Sequence, residues 1–364
     1  MRRRDFLTAA AAGAGLCSLG FRQVRGGELS TKEHESVERG LNYLAKVQTS
    51  GGHFGDLVPA YPVALTSLAG MAFLMSGSTM CQGKYSQNVR RIAYYLKDRA
   101  RKNGLIAGQD PQEQARYTYA HGFATLFLAS LYGDEEDQEQ RIWLQRMLDN
   151  AVRFICNSQT TKGGWGYLAK GCVREGDDMD EGSTTVTQLQ ALRAARNVGT
   201  YVPKVVIDHA RKYLADCTGP DGHVIYRPGR PGGRPALTAA AIACGFSMGE
   251  YQSDVVKRWL RSAHQSMGPI GQRRMGHDEY AHYYYSQAAY MLGEEGYRNL
   301  FPESRPADRL TWSGYKKDNF PAILNSQATD GSWVQGSPYG PVYLTSIYLT
   351  ILQLERAALP IYQR

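Results

Sequence analysis

The sequence has few cysteines, and they lack the spacing that binds zinc. It contains six, and the five that follow Cys17 include no C-x-x-C pair. An odd number without paired spacing argues against a zinc ribbon and against a disulfide framework, although one bridge is compatible with an oxidising compartment. The sequence therefore indicates neither a metal site nor another cofactor.

Strand-rich segments and proline-rich linkers are also absent from the main part of the chain. With 364 residues and 43% hydrophobic content, the sequence can bury a large core, so disorder is not expected. We predict one domain, residues 30–364, preceded by a separate segment at residues 1–29.

Excess positive charge is small once that first segment is set aside. The formal charge of +8 falls to +4 without residues 1–26, which gives no indication of a nucleic-acid partner. The segment itself, MRRRDFLTAAAAGAGLCSLGF, places Arg3 and Arg4 before Phe6-Leu7 and a short stretch of small apolar residues. This pattern predicts a twin-arginine signal, with the translocase as partner and a bacterial periplasmic or extracytoplasmic location. A lipid attached to Cys17 is the weaker alternative, because Leu16 is large for such a site.

Internal repeats organise the remainder of the chain. FICNSQTTKGGW at residues 154–165 and AILNSQATDGSW at residues 322–333 share N-S-Q-x-T-x-G-x-W, and RGLNYLAKVQTSGGHF at residues 39–54 is a third version. Turn glycines recur at an average spacing of close to 56 residues, the scale of a two-helix unit. They are Gly52, Gly104, Gly164, Gly222, Gly268 and Gly331.

A second helical segment follows each turn, and its copies also correspond. PVALTSLAGMAFL from Pro62 matches PVYLTSIYLTILQL from Pro341, and YAHGFATLFLASLYG from Tyr119 matches YAHYYYSQAAYMLG from Tyr280. These segments are apolar, whereas the first segment of each unit is amphipathic, which predicts an inner and an outer helix. Six such hairpins close most simply into an all-α toroid, an (α/α)6 barrel in which the first and sixth units are neighbours.

The repeated residues resemble the QW repeat of squalene cyclases and protein prenyltransferase β subunits. Gln159, Gly163 and Trp165 carry the resemblance, as do Gln327, Gly331 and Trp333, while Phe54 stands where tryptophan is usual. The resemblance covers roughly residues 37–357. We interpret these residues as scaffold, because a capping glutamine, a left-handed glycine and a packed aromatic ring explain the pattern.

The resemblance implies a fold more than an activity, because such toroids host terpene cyclisation, prenyl transfer and thioester chemistry. The zinc-binding Asp-x-Cys of the prenyltransferases is not matched by the adjacent Asp216-Cys217, and the Gly-Cys-Gly-Glu-Gln of thioester proteins is missing. Class II terpene cyclases use an Asp-x-Asp-Asp acid, to which Asp178-Met179-Asp180-Glu181 is similar. By this resemblance Asp178, Asp180 and Glu181 are candidate catalytic acids.

A structural interpretation of the same acids competes with the catalytic one. Ser183 or Thr184 can cap a helix that begins near Thr185, and acids ahead of a helix are favoured by its dipole. In that case the acids would be ionised and hydrated. Both interpretations stay open on the sequence alone.

A second polar cluster, GHDEYAHYYYSQ from Gly276, lies at the start of the fifth inner segment. Asp278, His282 and Tyr285 share one helical face at spacings of four and three, so the acid can orient the imidazole. The tripeptide Tyr-Ala-His also occurs at Tyr119 to His121 in the opposite unit. We therefore expect His121, Asp278, His282 and Tyr285 to bind a ligand, with an anionic group between the two histidines.

Three functions remain compatible with these residues. The first is an exported toroid that binds a ligand in its central bowl, with catalysis unproven. The alternatives are a class II terpene-cyclase-like enzyme that acts on an isoprenoid and a glycan-active hydrolase or lyase. A dry aromatic cavity with Asp180 at its wall would favour the terpene-cyclase-like enzyme, and a wide polar groove would favour the glycan-active enzyme.

Overall fold

The computed structural model describes residues 29–55, 61–133, 135, 137–170, 172, 180–229, 232–272, 277–335, 337–356 and 358–363. The predicted signal segment, apart from residue 29, and Asp178 lie outside these residues. Twelve long helices form the described part of the toroid. They are α1 (Thr31–Val47), α2 (Pro62–Met75), α3 (Ser86–Arg99), α4 (Tyr117–Leu131), α5 (Gln138–Ser158), α6 (Gly182–Asn197), α7 (Lys204–Asp216), α8 (Pro235–Ser247), α9 (Asp254–Ser266), α10 (Asp278–Leu292), α11 (Trp312–Asn325) and α12 (Pro341–Gln353).

The helices form two concentric layers, as the alternation of apolar and amphipathic segments predicts. The even-numbered helices are inner, and α2 buries every residue after Pro62. The odd-numbered helices are outer and bury one face, which in α9 consists of Val256, Trp259, Leu260, Ser262 and Ala263. No helix among the described residues has the length and apolarity to cross a membrane.

The inner layer closes on itself. Each inner helix packs against the next in chain order, and α12 packs against α2. The turn between α11 and α12 also binds α1, because Gln327 Nε2 donates to the Ser36 carbonyl at 2.9 Å. The prediction that units one and six are neighbours is confirmed, and with it the all-α toroid.

The residue spacing that the repeats share corresponds to a set of hydrogen bonds at each turn. In three units a glutamine Nε2 donates both to the turn and to the next outer helix. Gln48 reaches the carbonyls of Gly52 and Asn88, and Gln159 reaches those of Gly163 and Val206. In the third and sixth units the tryptophan that follows is fully buried and donates its Nε1 back to the preceding outer helix, as Trp165 does to the Ile155 carbonyl at 2.8 Å. The motif residues are therefore scaffold, as the sequence indicated.

The turn glycines allow this close approach. Gly331 has φ of +93°, and a Cβ placed on it would lie 2.4 Å from the Arg39 carbonyl oxygen of α1. Gly163 has φ of +97° and lies against the His209 carbonyl in the same way. In the third unit the left-handed residue is thus Gly163 rather than Gly164, and in the fifth it is Gly271 rather than Gly268.

A side chain near the start of the inner helix completes each of five turns. The backbone N–H two positions after the left-handed glycine donates to a threonine Oγ1 in four units, for example from Trp333 to Thr345 at 3.0 Å. In the second unit the acceptor is Nδ1 of His121, which receives the Ile106 N–H at 3.0 Å. His121 therefore occupies the position of the threonines.

Both histidines of the repeated tripeptide point outward between the helical layers. His121 Nε2 donates to the Ala151 carbonyl of α5 at 3.1 Å, and His282 Nδ1 hydrogen bonds with the Tyr315 hydroxyl of α11 at 3.2 Å. Burial lowers the pKa of each to about 4. The expectation that they face the bowl, hold an anion between them and protonate near pH 6.5 is therefore wrong. The tripeptide packs the layers instead.

Gly331 tests the importance of the turn contact. We expect Gly331→Ala to lower the free energy of unfolding by about 2–5 kcal/mol, because it adds left-handed strain and a clash with α1. Gly249→Ala is the matched control, since Gly249 has φ of +86° and nothing within 4 Å of an added Cβ. Chemical denaturation measures both, and equal losses would contradict a role for the contact with α1.

The buried histidines predict acid sensitivity. Because their folded pKa of about 4 lies below the usual 6.5, the unfolded chain binds more protons between these values. Stability should be complete above pH 6.5 and should fall towards pH 4 by about 3 kcal/mol for each histidine. His121→Thr should reduce this slope, measured by denaturation at a series of pH values. The exposed His209 provides a control in His209→Gln, and a slope identical in all three proteins would refute the prediction.

Candidate functional site

The two ends of the inner layer differ in what closes them. At the carboxyl ends of the inner helices the C-terminal segment packs inward, with Leu359 fully buried and the Tyr362 hydroxyl 3.0 Å from that of Tyr283. A small cavity there is lined by residues such as Gln190, Arg193 and Gln287, without an acid or a histidine among the described ones. Buried acids lie at the other end, where the inner helices begin.

Six half-buried tyrosines surround the amino ends of the inner helices, one from each repeat. We call this set the tyrosine mouth. It consists of Tyr61, Tyr119, Tyr167, Tyr226, Tyr280 and Tyr339.

The tyrosines contact one another across units. Tyr167 and Tyr226 are hydrogen bonded through their hydroxyls, and the aromatic rings of Tyr119 and Tyr167 lie 5.8 Å apart. Tyr119 and Tyr280 come from opposite units, yet both hydroxyls donate to Ser183, one to its Oγ and the other to its carbonyl at 3.5 Å. Four tyrosines of the mouth are therefore linked to one another, directly or through Ser183.

Backbone bonds dock the loops of the mouth onto inner helices. Thr118 N–H donates to the Tyr167 carbonyl at 3.3 Å, and Gly182 N–H donates to that of Tyr226 at 3.2 Å. These donors belong to the first turns of α4 and α6, where a helix has no internal partners for its N–H groups. The loop of one unit thus satisfies the helix of the unit before it.

A buried carboxylate holds the start of α2 beneath Tyr61. Glu113 is fully buried and accepts from the N–H groups of Val63, Ala64 and Gly108 at 2.9–3.2 Å. Burial raises its pKa to about 7, against the opposing effect of these bonds. Glu113 therefore positions the start of the helix that follows Tyr61.

Backbone strain is concentrated at the same end of the toroid. Tyr61 and His277 are the non-glycine residues with positive φ in the described part of the chain, at +104° and +67°. Each precedes an inner helix, and each packs against the aromatic ring of Tyr339. Such conformations cost of order 1–3 kcal/mol and cluster at functional sites, so they support the mouth as the candidate site.

The acids before α6 are buried, so the hydrated capping interpretation is wrong for Asp180 and Glu181. Both are 2% exposed, and α6 begins at Gly182 rather than near Thr185. Asp180 Oδ2 accepts from Thr160 Oγ1 at 2.5 Å and from Gly164 N–H at 3.2 Å. Asp180 therefore binds the turn of the third unit. It stabilises the scaffold around the neighbouring acid.

Glu181 lies among the tyrosines of the mouth. Burial raises its pKa, while the nearby hydroxyls of Tyr167 and Tyr226 and the charges of Arg227 and Arg116 oppose the increase. Its Oε2 is buried and makes no hydrogen bond to a described residue. Burial therefore shifts this carboxyl group towards its protonated form.

A second buried carboxylate, Glu279, lies in the first turn of α10. It is 4% exposed, its Oε1 makes no hydrogen bond to a described residue, and burial raises its pKa with a further contribution from Asp278. Its neighbour Tyr280 reaches Ser183, two residues after Glu181. A buried carboxyl group therefore lies at the start of each of α6 and α10.

The predicted face of α10 is turned away from the mouth. Asp278 Oδ2 accepts from Gly271 N–H at 3.2 Å, and its Oδ1 is 3.7 Å from His282 Nε2. Tyr285 hydrogen bonds with His264 of the outer helix α9 at 3.1 Å. The spacing argument grouped Asp278, His282 and Tyr285 correctly, but the expectation that they line the bowl is wrong, because the shared face packs against the outer layer.

Several residues of the mouth were missed by the sequence analysis. They include Tyr61, Arg116, Tyr167, Tyr226, Glu279 and Tyr339. For the tyrosines, the sequence signal that could have identified them was the recurrence of a tyrosine near the start of each inner segment. Among the described residues no group of three or more histidines, cysteines and acids is arranged to hold a metal, and no disulfide joins the five described cysteines.

Comparisons with known proteins support the fold alone. No family model and no curated protein sequence matches the chain. Among solved structures, an inactive variant of the α-1,6-mannanase GH76A of Salegentibacter sp. HEL1_6, in complex with α-1,6-mannotriose, is similar with a TM-score of 0.61 and 10% identity over 90% of this chain and 99% of that one.

Two other structures are similar over comparable lengths. The type II terpene cyclase MstE from Scytonema has a TM-score of 0.58 and 12% identity over 90% of this chain and 99% of its own. A protein from Actinoplanes has a TM-score of 0.54 and 16% identity over 90% and 99%. The chain is thus an α/α toroid whose structural neighbours include a glycan-active enzyme and a terpene cyclase.

Proposed function

We propose that the tyrosine mouth binds a saccharide chain. The observation that carries this proposal is the set of six half-buried tyrosines, one from each unit, with the carboxyl group of Glu181 buried beside two of them, Tyr167 and Tyr226. Sugars offer C–H faces that pack on aromatic rings and hydroxyls that bond to polar groups, so a polar aromatic mouth suits them. The complex of the similar mannanase with mannotriose shows that this fold can hold a saccharide and supports the proposal to that extent.

Glu181 is the residue we propose as general acid. Glycoside hydrolysis needs one carboxylic acid that protonates the leaving oxygen and a second carboxylate that activates water or attacks the sugar. Glu181 has the raised pKa of such an acid. Glu279, on the helix that reaches Ser183 through Tyr280, is the proposed second carboxylate. Asp180 contributes by holding the turn, and a catalytic role for Asp178 stays a prediction.

Isoprenoid cyclisation is the second candidate. The observation in its favour is that the acids at 178–181 lie directly before an inner helix, with aromatic rings nearby that can stabilise carbocations. Two features disfavour it. Asp180 is bonded to a turn rather than to the wall of a cavity, and the mouth carries hydroxyls and arginines. A polar ligand fits these groups better.

We also propose a superfamily and a cellular location for this chain. The glutamine, glycine and tryptophan geometry supports membership of the squalene cyclase and prenyltransferase repeat superfamily. Arg3 and Arg4 support export by the twin-arginine pathway of a bacterium. An extracytoplasmic location agrees with a saccharide ligand and less well with an isoprenoid.

Tyrosine variants test where the saccharide binds. We expect Tyr119→Ala and Tyr280→Ala each to weaken oligosaccharide binding about tenfold or more, because both remove stacking surface from the mouth. Tyr201, which is 80% exposed beyond the far end of α6, provides the control Tyr201→Ala. Calorimetry against a panel of neutral and acidic oligosaccharides measures affinity. A retained isoprenoid in native mass spectrometry, with no saccharide bound, would favour the cyclase instead.

Glu181→Gln separates binding from catalysis. The amide keeps the shape of the side chain but cannot donate a proton from a carboxyl group. Release of reducing ends should therefore fall by at least about 100-fold while affinity changes little. Asp180→Asn is the comparison, and we expect it to lower the unfolding temperature more than the turnover of the folded fraction. Full activity in Glu181→Gln would exclude Glu181 as the acid.

A further inference from the structure

Two side chains of the mouth are held in a strained backbone conformation where glycine would relieve the strain. Positive φ angles in the described part of the chain belong to sixteen glycines and to Tyr61 and His277. Glycine adopts these angles without a steric penalty, whereas a bulky residue does so at a cost in folding free energy. Tyr61 and His277 therefore carry side chains at positions where the backbone alone favours glycine.

Hydrogen bonds within the described part of the chain do not offset this cost. Tyr61 and His277 are the N-cap residues of α2 and α10, and neither side chain caps its helix. No hydrogen bond joins the Tyr61 hydroxyl or the His277 imidazole to another described residue. Tyr61 is half-buried and His277 is exposed, so both side chains can meet a ligand.

The two side chains converge on one aromatic ring, that of Tyr339. The ring centre of Tyr61 lies 6.1 Å from that of Tyr339 with an interplanar angle of 75°, and the ring centre of His277 lies 6.4 Å from it at 19°. The three residues precede α2, α12 and α10, which are consecutive in the inner layer. We call Tyr61, His277 and Tyr339 the aromatic triad.

The triad adjoins the carboxyl group of Glu279. Burial raises the pKa of Tyr339, and Tyr61 and Glu279 add to the increase, which places Glu279 near the Tyr339 hydroxyl. Glu279 follows His277 by two residues and is 4% exposed, and its Oε1 makes no hydrogen bond to a described residue. A buried acceptor without a donor costs free energy, and a ligand hydroxyl would remove that cost.

The triad and the pair Tyr167 and Tyr226 lie on opposite sides of the mouth. The triad precedes inner helices of units five, six and one, whereas Tyr167 and Tyr226 precede those of units three and four. Packed helices lie about 8–10 Å apart, so the axes of opposite helices in a ring of six are about 16–20 Å apart. One sugar ring is too short to contact both sides, whereas an oligosaccharide is long enough.

We propose that the aromatic triad is a second saccharide subsite, which holds the part of an oligosaccharide on the Glu279 side of the mouth. Tyr167 and Tyr226 hold the part on the Glu181 side. This inference rests on the proposed saccharide function and adds the class of ligand, which is an oligosaccharide or polysaccharide rather than a single sugar.

Paired substitutions test whether the strained side chains serve a ligand. Tyr61→Gly removes both the ring and the strain, whereas Tyr61→Ala removes the ring alone. Tyr61→Gly should unfold at a denaturant concentration equal to or above that of the unaltered protein, and Tyr61→Ala at a lower one. The same order is expected for His277→Gly and His277→Ala. Glycine variants that lose as much stability as the alanine variants would show that the side chains serve packing, and would overturn the proposal.

Calorimetry with cello-, xylo- and manno-oligosaccharides of one to six sugars tests the subsite itself. In the unaltered protein, affinity for the series that binds should rise about tenfold or more from the shortest member to the longest. Tyr61→Gly and His277→Gly should each remove most of this gain and change the affinity for the shortest member little. Tyr201→Ala, remote from the mouth, is the control and should retain the gain.

The remaining outcomes distinguish the two proposals. If long saccharides bind and Tyr119→Ala weakens them while both glycine variants bind normally, the saccharide function survives and the triad is not a subsite. If single sugars bind as tightly as long saccharides, the saccharide function stands and the proposed class of ligand is wrong. If no saccharide of these series or of the panel of neutral and acidic oligosaccharides binds, both proposals fail.

Discussion

Gly163 and Gly331 lie directly against carbonyl oxygens of the next outer helix, and the toroid depends on this approach of turn to helix. The glutamine before each of these glycines donates to the turn and to that helix at once. A β-carbon would prevent the contact, since the turn has no room to move away without losing both bonds. The same contact joins the sixth unit to the first, so a local backbone requirement also closes the inner layer of helices.

Closure of the ring of inner helices brings their amino ends together at one end of the toroid. Two described loops are held against the inner helix of the preceding unit, the one at Tyr167 by the N–H of Thr118 and the one at Tyr226 by the N–H of Gly182. The residues of these loops therefore meet at one end of the toroid although they are far apart in sequence. Six tyrosines arrive there in this way, and their hydroxyls and faces form a surface that no single repeat could provide.

Burial then sets the electrostatics of that surface. Glu181 and Glu279 are removed from water at the start of α6 and α10, and this burial raises the pKa of each carboxyl group. The start of α6 and the start of α10 therefore each hold a buried carboxyl group of raised pKa.

The sequence by itself determined the architecture, because hydrophobic periodicity and the repeated Gln, Gly and Trp positions are local properties of each unit. It also grouped Asp278, His282 and Tyr285 on one helical face, since a helix fixes which side chains share a side. Which face points inward was decided only by the tertiary structure. In α10 both helical faces are rich in aromatic and polar residues. One face packs on α9 and α11 and the other carries Tyr280, and residue composition could not tell them apart. The turn contacts fix how each helix is rotated, and through that rotation they place His121 between layers and Glu181 in the mouth.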